Sequence, residues 1–156
     1  METAYIKTPL GIAKITGDEN GIAAISIADE GEVSVAIPAV LQEAVSQLND
    51  YFEGKRSNFD FKLNPTGTEF QQKVWQGLLE IPFGKTLSYL DLSKKLGDVK
   101  AIRAVASANG KNPLWIVIPC HRVIGTDGSL TGYAGGLWRK KWLLEHENPT
   151  NQQSLF

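Results

Sequence analysis

The chain has 156 residues, a net charge of -1, 42% hydrophobic residues and 21% charged residues, a balance typical of one compact domain or two small ones. No segment approaches the roughly 18 apolar residues of a transmembrane helix, and the first residues lack the build of a signal peptide, so we expect a cytoplasmic location. The single cysteine, Cys120, excludes an internal disulfide and a cysteine-based zinc site.

Charge is distributed unevenly along the chain. Residues 1–66 carry five Lys and Arg against ten Asp and Glu, whereas residues 67–156 carry eleven against seven. The excess of positive charge in the second part is compatible with a polyanionic partner, and equally with an ordinary solvated surface.

The first third of the chain predicts antiparallel hairpins followed by a helix. Apolar residues alternate around a turn at residues 17–21 and again at Val33, Val35 and Ile37. Behind Pro38, apolar residues at helical spacing predict a helix that ends before Gly54. A last strand is predicted over residues 59–63, and a domain boundary over residues 64–67.

Beyond that boundary the apolar spacing becomes helical. A first helix is predicted from Phe70 to just before Pro82. A second covers residues 88–96, opened by a capping box at Ser88 and ended by Gly97, and a third covers residues 99–109. Two short helices joined by a tight turn are typical of a helix-turn-helix.

The last of these helices is covered in small side chains. Its predicted buried face holds Ile102, Val105 and Ala106, which leaves Arg103 and Ser107 on another face. Such a helix fits a narrow nucleic-acid groove, with Arg103 as a long probe, and it equally fits close packing against a neighbouring helix.

The remaining sequence surrounds the cysteine. A buried apolar run is predicted over residues 114–118, a turn over residues 125–128, a glycine-rich segment over residues 132–136, a final helix to about His146, and an unstructured tail.

Cys120 lies in the segment IPCHRVI, and its neighbours favour a reactive thiol over an inert buried one. A free cysteine is usually an inert buried residue, and a nucleophilic one needs a base or a positive field. His121 could serve as a base through one water molecule, with Glu145 or Glu147 behind it. A cysteine peptidase is disfavoured because it needs a histidine that meets the sulfur directly.

The motifs around the cysteine resemble a known family. NPLWIVIPCHRVI at residues 112–124, GYAGGL at 132–137, Lys140 and LLEHE at 143–147 are similar to the O6-alkylguanine-DNA alkyltransferases. The resemblance covers residues 67–147. It implies an α/β protein with a small ribonuclease-H-like domain over residues 1–66, a mostly helical domain over 67–147 with a winged-helix-like helix-turn-helix, and a flexible tail over 148–156.

The resemblance also implies an irreversible, stoichiometric reaction without cofactor or metal. Cys120 would accept the alkyl group of O6-alkylguanine in DNA, and O4-alkylthymine stays open as a second substrate. Glu147 would orient His121, which takes the thiol proton through a water molecule. The residues expected to support the turn and the proton transfers are Asn112, Tyr133 and Lys140.

Further roles follow from the same resemblance. Arg103 would fill the space of a flipped nucleotide, and Tyr89 would rotate the phosphate on its 3′ side. The other residues expected at the DNA are Ala101, Ser107 and Thr126. Those expected at the substrate pocket are Val123, Ala134, Gly135 and Trp115, where the large Trp115 departs from members with a smaller residue.

The expected partner of a monomeric protein is double-stranded DNA, and the tail adds a second. QQSLF at residues 152–156 is similar to the pentapeptide that binds the bacterial sliding clamp, with Gln152, Leu155 and Phe156 as its anchors. Two other classes stay open: a lesion-binding module without activity, and a helix-turn-helix regulator that senses alkylation through Cys120.

Overall fold

The computed structural model of the chain describes residues 1–130, 133 and 135–149. It divides into two compact units, one made of Met1–Thr66 with Pro113–Trp115 and the other of the remaining described residues. The described residues form an α/β structure with two small sheets and five α-helices. Within that part of the chain no helix has the length and apolar character to cross a membrane.

The first unit is built on a three-stranded antiparallel sheet. Its strands are β1 (Glu2–Thr8), β2 (Gly11–Asp18) and β3 (Gly21–Ala28), in the order β1-β2-β3. Alternate side chains point into the core, as the sequence pattern predicts, and helix α1 (Gln42–Phe52) adds the buried Leu48 and Tyr51. The hairpins and this helix are therefore confirmed.

Two strand predictions in this unit are wrong. Val33 and Val35 lie outside every described strand with 49% and 106% of their surface exposed, so their alternation buries no face. Residues 59–63 form only an isolated bridge, in which Ile22 pairs with Leu63. Residues 59–63 still alternate between half-buried and exposed, and Phe59 packs against Tyr51, so alternation alone does not show that a segment pairs along its length as a strand.

The second unit begins with helix α2 (Glu69–Leu79). Thr68 and Gln71 form a complete capping box at its start. The helix buries Val74 and Leu78, and the indole Nε1 of Trp75 donates to the carbonyl of Ala108 at 2.9 Å. This bond ties α2 to the end of a later helix.

The two short helices that follow are α3 (Tyr89–Lys95) and α4 (Ile102–Gly110). Ser88 caps the first, and Gly97, with φ of 93°, ends it. A turn of 3₁₀ helix over Val99–Ala101 precedes α4, so the α-helix starts later than predicted. Its buried residues are Val105, Ala108 and Asn109, whereas the predicted Ile102 and Ala106 are half-buried.

A short parallel pair joins the cysteine segment to this helix pair. Strand β4 (Leu87–Ser88) leads directly into α3, and β5 (Val123–Ile124) directly follows the cysteine segment. The predicted turn after β5 is confirmed, because Gly128 donates to the carbonyl of Gly125. Helix α5 (Leu137–Glu147) closes the unit.

Candidate reactive-cysteine site

The backbone before Cys120 is held in a tight turn. Pro119 has φ of -81° and ψ of 65°, the inverse γ-turn conformation, and Cys120 N–H donates to the carbonyl of Ile118 at 2.8 Å. The side-chain amide of Asn112 donates to the same carbonyl at 2.7 Å. Proline restricts φ to the value that this turn needs, so Pro119 and Asn112 together fix the position of the thiol.

The apolar run that leads into this turn carries backbone strain. Ile116 has φ of 71°, which is unfavourable for a β-branched residue and costs on the order of 1–3 kcal/mol. The residue is 1% exposed, so its packing compensates for the strain. Nothing in the sequence marks this position.

Cys120 itself is buried, with 7% of its surface exposed. Burial raises the pKa of the thiol, while the side chain of Asn112, the charge of Lys140 and the side chain of Tyr133 act in the opposite direction. Burial has the larger effect, so the resting group is a protonated thiol. The positive field expected from the sequence is present, but it does not produce a standing thiolate.

Behind the thiol lies a buried network centred on Glu147. Its Oε2 is 2.7 Å from Nε2 of His121, and its two oxygens accept from Nε and Nη2 of Arg122 at 2.8 and 3.0 Å. The other imidazole nitrogen, Nδ1, is buried and makes no hydrogen bond within the described residues. Of the two carboxylates proposed from the sequence, the structure thus selects Glu147.

The charges of this network decide the ionisation of Glu147. Burial acts to raise the pKa of the carboxyl, but the charge and hydrogen bond of His121, followed by those of Arg122, hold the pKa well below its ordinary value. Arg122 also donates from Nη1 to the carbonyl of Ile81 at 2.7 Å. It therefore braces the network.

Lys140 approaches the thiol from helix α5. Its side chain has no exposed surface, so it does not lie on a solvated face of the helix. Burial lowers the pKa of Lys140 to about 8, against the opposing effect of the Cys120 charge. Its Nζ lies 5.9 Å from the centroid of the Tyr133 ring.

The structure places three predicted residues, Asn112, Tyr133 and Lys140, where they act on the thiol of Cys120. It also pairs His121, the neighbour of Cys120 in the chain, with the predicted Glu147. Of the residues predicted for the substrate pocket, Val123 is buried and Gly135 is half-buried.

The residues predicted for DNA contact lie on a different part of the same unit. Arg103 and Ser107 are exposed on α4, Thr126 is exposed in the turn after β5, and Ala101 is half-buried. The hydroxyl of Tyr89 accepts a hydrogen bond from Nδ2 of Asn109 at 3.4 Å.

The other predicted residues are placed elsewhere or lie outside the description. Trp115 belongs to the first unit, where its ring lies 6.3 Å from that of Phe52, and its predicted role at the pocket stays a prediction. Four residues lie outside the described part of the chain: Ala134, Gln152, Leu155 and Phe156. The proposed clamp contact of the tail therefore also stays a prediction.

Sequence reasoning missed Arg139. Its side chain is buried, and its Nη1 donates to the carbonyl of Gly135 at 2.8 Å. The one hint in the sequence was the start of α5. Its first turn contains Arg139 but no acidic residue, although acidic residues are favoured there.

The features of this site define a class of protein. A buried thiol with a histidine and carboxylate behind it has the parts of an activated nucleophile, and its unit exposes an arginine on a short helix. The fold and site are those of a cysteine-dependent protein in which the thiol itself reacts.

Comparison with known proteins identifies the family. Residues 69–149 match the 6-O-methylguanine DNA methyltransferase DNA binding domain, and residues 1–65 match the ribonuclease-like domain of the same family. A methylated-DNA–protein-cysteine methyltransferase of Methanosarcina barkeri is 45% identical over 149 residues, covering 91% of this chain and 94% of that protein. The chain belongs to the O6-methylguanine DNA methyltransferase family.

Solved structures agree with this assignment. Mycobacterium tuberculosis OGT in complex with DNA has a TM-score of 0.87 and 41% identity, covering 96% of this chain and 94% of that one. An O6-methylguanine DNA methyltransferase from Methanococcus jannaschii has a TM-score of 0.67 and 30% identity, covering 92% of each chain.

The raised pKa of the thiol can be measured directly, because iodoacetamide can label only one cysteine in this chain. We expect the midpoint of the pH dependence of labelling to be higher in the native protein than in the chain unfolded in guanidinium chloride. Lys140→Met should raise the native midpoint further, since it removes a positive charge near the thiolate. A native midpoint at or below that of the unfolded chain would contradict the description.

The Glu147 network predicts a large loss of stability on Glu147→Gln. The substitution leaves Arg122 buried without its carboxylate, so we expect the free energy of unfolding to fall by about 3 kcal/mol. Glu145→Gln, on the same helix, is the matched control and should change it by less than about 0.5 kcal/mol. Denaturant unfolding at neutral pH measures both.

The pH dependence of that difference has a definite sign. Because the folded state lowers the pKa of Glu147, its stabilisation is present above the ordinary value of about 4.3 and is lost as the pH falls below it. The gap between wild type and Glu147→Gln should therefore narrow between about pH 5 and pH 3. A gap that stays constant over this range would mean that the carboxylate charge is not the source of the stability.

Proposed function

We propose that this chain is a methylated-DNA–protein-cysteine methyltransferase that repairs O6-alkylguanine in DNA by direct reversal. The carrying observation is the buried Cys120 with the His121–Glu147 pair behind it, in a chain that belongs to this family. Each molecule would act once, because the accepted alkyl group stays on the sulfur.

The transfer is a displacement at carbon. The sulfur of Cys120 attacks the alkyl carbon bound to guanine O6, a C–S bond forms and the C–O6 bond breaks. The thiol proton passes through a water molecule to Nδ1 of His121, and the electron pair of the broken bond goes to the guanine. The products are a thioether on Cys120 and a guanine anion, which becomes unmodified guanine when it takes up a proton.

The protonated resting thiol gives His121 a specific task. Because burial disfavours the thiolate, proton removal has to accompany the attack on the substrate rather than precede it. The contact of Nε2 with Glu147 leaves Nδ1 to accept the proton, and the carboxylate stabilises the resulting imidazolium. Asn112 keeps the thiol in place through the carbonyl of Ile118.

Tyr133 and Lys140 would assist the departing guanine. Charge develops on O6 as its bond to the alkyl carbon breaks, and a hydroxyl donor can neutralise that charge. Lys140, with its pKa lowered to about 8, is still mostly protonated near neutral pH and favours proton donation by Tyr133. Val123, Gly135 and Ala134 are proposed to line the pocket for the base.

The target atom lies inside the duplex, so we infer that the nucleotide is flipped out before reaction. The pair α3 and α4 would act as a helix-turn-helix that binds the minor groove, with the small exposed side chains of α4 allowing close approach. Arg103 would occupy the vacated stack and Tyr89 would turn the phosphate. Ala101, Ser107 and Thr126 would contact the backbone.

The division of labour between the units is part of the proposal. Residues 67–147 would carry both DNA binding and alkyl acceptance, and residues 1–66 would form a ribonuclease-H-like domain.

The reaction itself predicts a change in mass. After incubation with duplex DNA containing O6-methylguanine, we expect one methyl group per protein chain, located on Cys120 by peptide mapping. Cys120→Ser should gain none, since a hydroxyl is a poor nucleophile at its ordinary pKa. An adduct that survives this substitution would exclude Cys120 as the acceptor, and tight lesion binding without an adduct would favour the non-reactive binding module.

The role of Arg103 predicts different effects on two substrates. Arg103→Ala should slow transfer from duplex DNA by about tenfold or more, because no side chain then occupies the space left by the flipped nucleotide. Transfer from the free base, which needs no flipping, should change by less than about twofold. Lys100→Ala removes the same charge from the exposed turn just before α4 and should have a much smaller effect on the duplex. Equal losses on duplex and free base would remove Arg103 from this role.

A further inference from the structure

We propose that Arg139 is a positioning residue for alkyl transfer, which holds the glycine loop (Tyr133, Gly135 and Gly136) in its reactive conformation. This inference rests on the proposed function, because the glycine loop carries Tyr133 to the thiol.

The contacts of Arg139 fasten the glycine loop to helix α5. Its Nη1 donates to the carbonyl of Gly135 at 2.8 Å, and its backbone N–H donates to the carbonyl of Gly136 at 3.1 Å. Gly136 N–H in turn donates to the carbonyl of Tyr133 at 2.9 Å. Arginine is seldom buried without such a partner, and a charged donor strengthens the bond to Gly135.

Trp138 adds a second attachment. The guanidinium of Arg139 lies 4.5 Å from the centroid of the Trp138 ring. The same indole lies over Gly136, where an added Cβ would come within 3.4 Å of its Cδ1. Gly136 also has φ of 92°, a conformation that favours glycine. Arg139 therefore holds both the carbonyl of Gly135 and the ring that covers Gly136.

The position of Arg139 on its helix supports a role beyond helix stability. Helix α5 has no side-chain cap at its start and no acidic residue in its first turn. A positive side chain there faces the positive end of the helix dipole, so it does not stabilise the helix. Arg139 is unfavourable for the helix dipole and is nevertheless buried, so we attribute its presence to its contacts with Gly135 and Trp138.

The link to chemistry runs through Tyr133. The ring of Tyr133 lies beside Lys140, whose charge acts on Cys120, and Tyr133 itself acts to lower the pKa of the thiol. Arg139 follows the glycine loop and directly precedes Lys140. The first turn of α5 therefore carries both the residue that binds the glycine loop and the buried lysine. A small displacement of a group beside reacting atoms can cost a large factor in rate.

The test uses the full chain and free O6-benzylguanine, with intact mass recording benzyl transfer to Cys120 over time and concentration. Arg139→Ala should raise the half-saturating concentration about tenfold while the final amplitude stays at one benzyl group per chain. Arg139→Gln should lose less, because its amide can still donate to the carbonyl of Gly135. Lys141→Ala, which removes an exposed cation from the same helix, should behave as wild type.

Amplitude separates positioning from folding, because in a single-turnover reaction it counts the active molecules. A reduced amplitude with an unchanged half-saturating concentration in both Arg139 variants would mean a structural role and overturn the proposal. Arg139 variants indistinguishable from Lys141→Ala would also overturn it. If wild type accepts no benzyl group, the same variants are compared with duplex DNA containing O6-methylguanine, and only a wild type that accepts no alkyl group from either substrate makes the proposed function fail first. Should thermal denaturation show that Arg139→Ala is unfolded, Arg139→Gln decides.

Discussion

The carboxylate of Glu147 is the group on which the rest of the site depends. It holds His121 by one contact and Arg122 by two, and Arg122 in turn reaches the carbonyl of Ile81. Three charged or titratable side chains are thus kept away from water only because they satisfy one another. This arrangement fixes the orientation of the imidazole next to a cysteine that stays buried.

Helix α5 carries charge in the order opposite to that favoured by its dipole. Arg139 and Lys140 lie at its start, and Glu147 lies at its end. Lys140 and Glu147 are seven residues apart and therefore share a face of the helix, two turns from each other. The helix sets a cation beside the thiol and an anion on the histidine, and the pairing of Glu147 with His121 and Arg122 offsets its unfavourable position at the end of the helix.

Much of this site could be predicted from the sequence, because its residues are close together along the chain or carry recognisable motifs. Ser88 and Gly97 marked the first helix of the pair, and the segment around Cys120 marked the nucleophile and its proposed base. The strained φ of Ile116 and the contact of Arg139 with Gly135 could not be predicted, since both depend on packing in three dimensions. The alternation at Val33 and Val35 misled, because periodicity indicates a strand only where a core can cover one face.

In the proposed reaction Glu147 acts through His121, and a double-mutant cycle measures the coupling between these two residues directly. The rate constant of alkyl transfer from free O6-benzylguanine to Cys120 would be measured for wild type, His121→Gln, Glu147→Gln and the double variant, each normalised to its active fraction. We expect Glu147→Gln to slow the wild-type reaction strongly and to have little further effect once His121 is replaced. Independent, multiplicative losses in the two backgrounds would contradict the account.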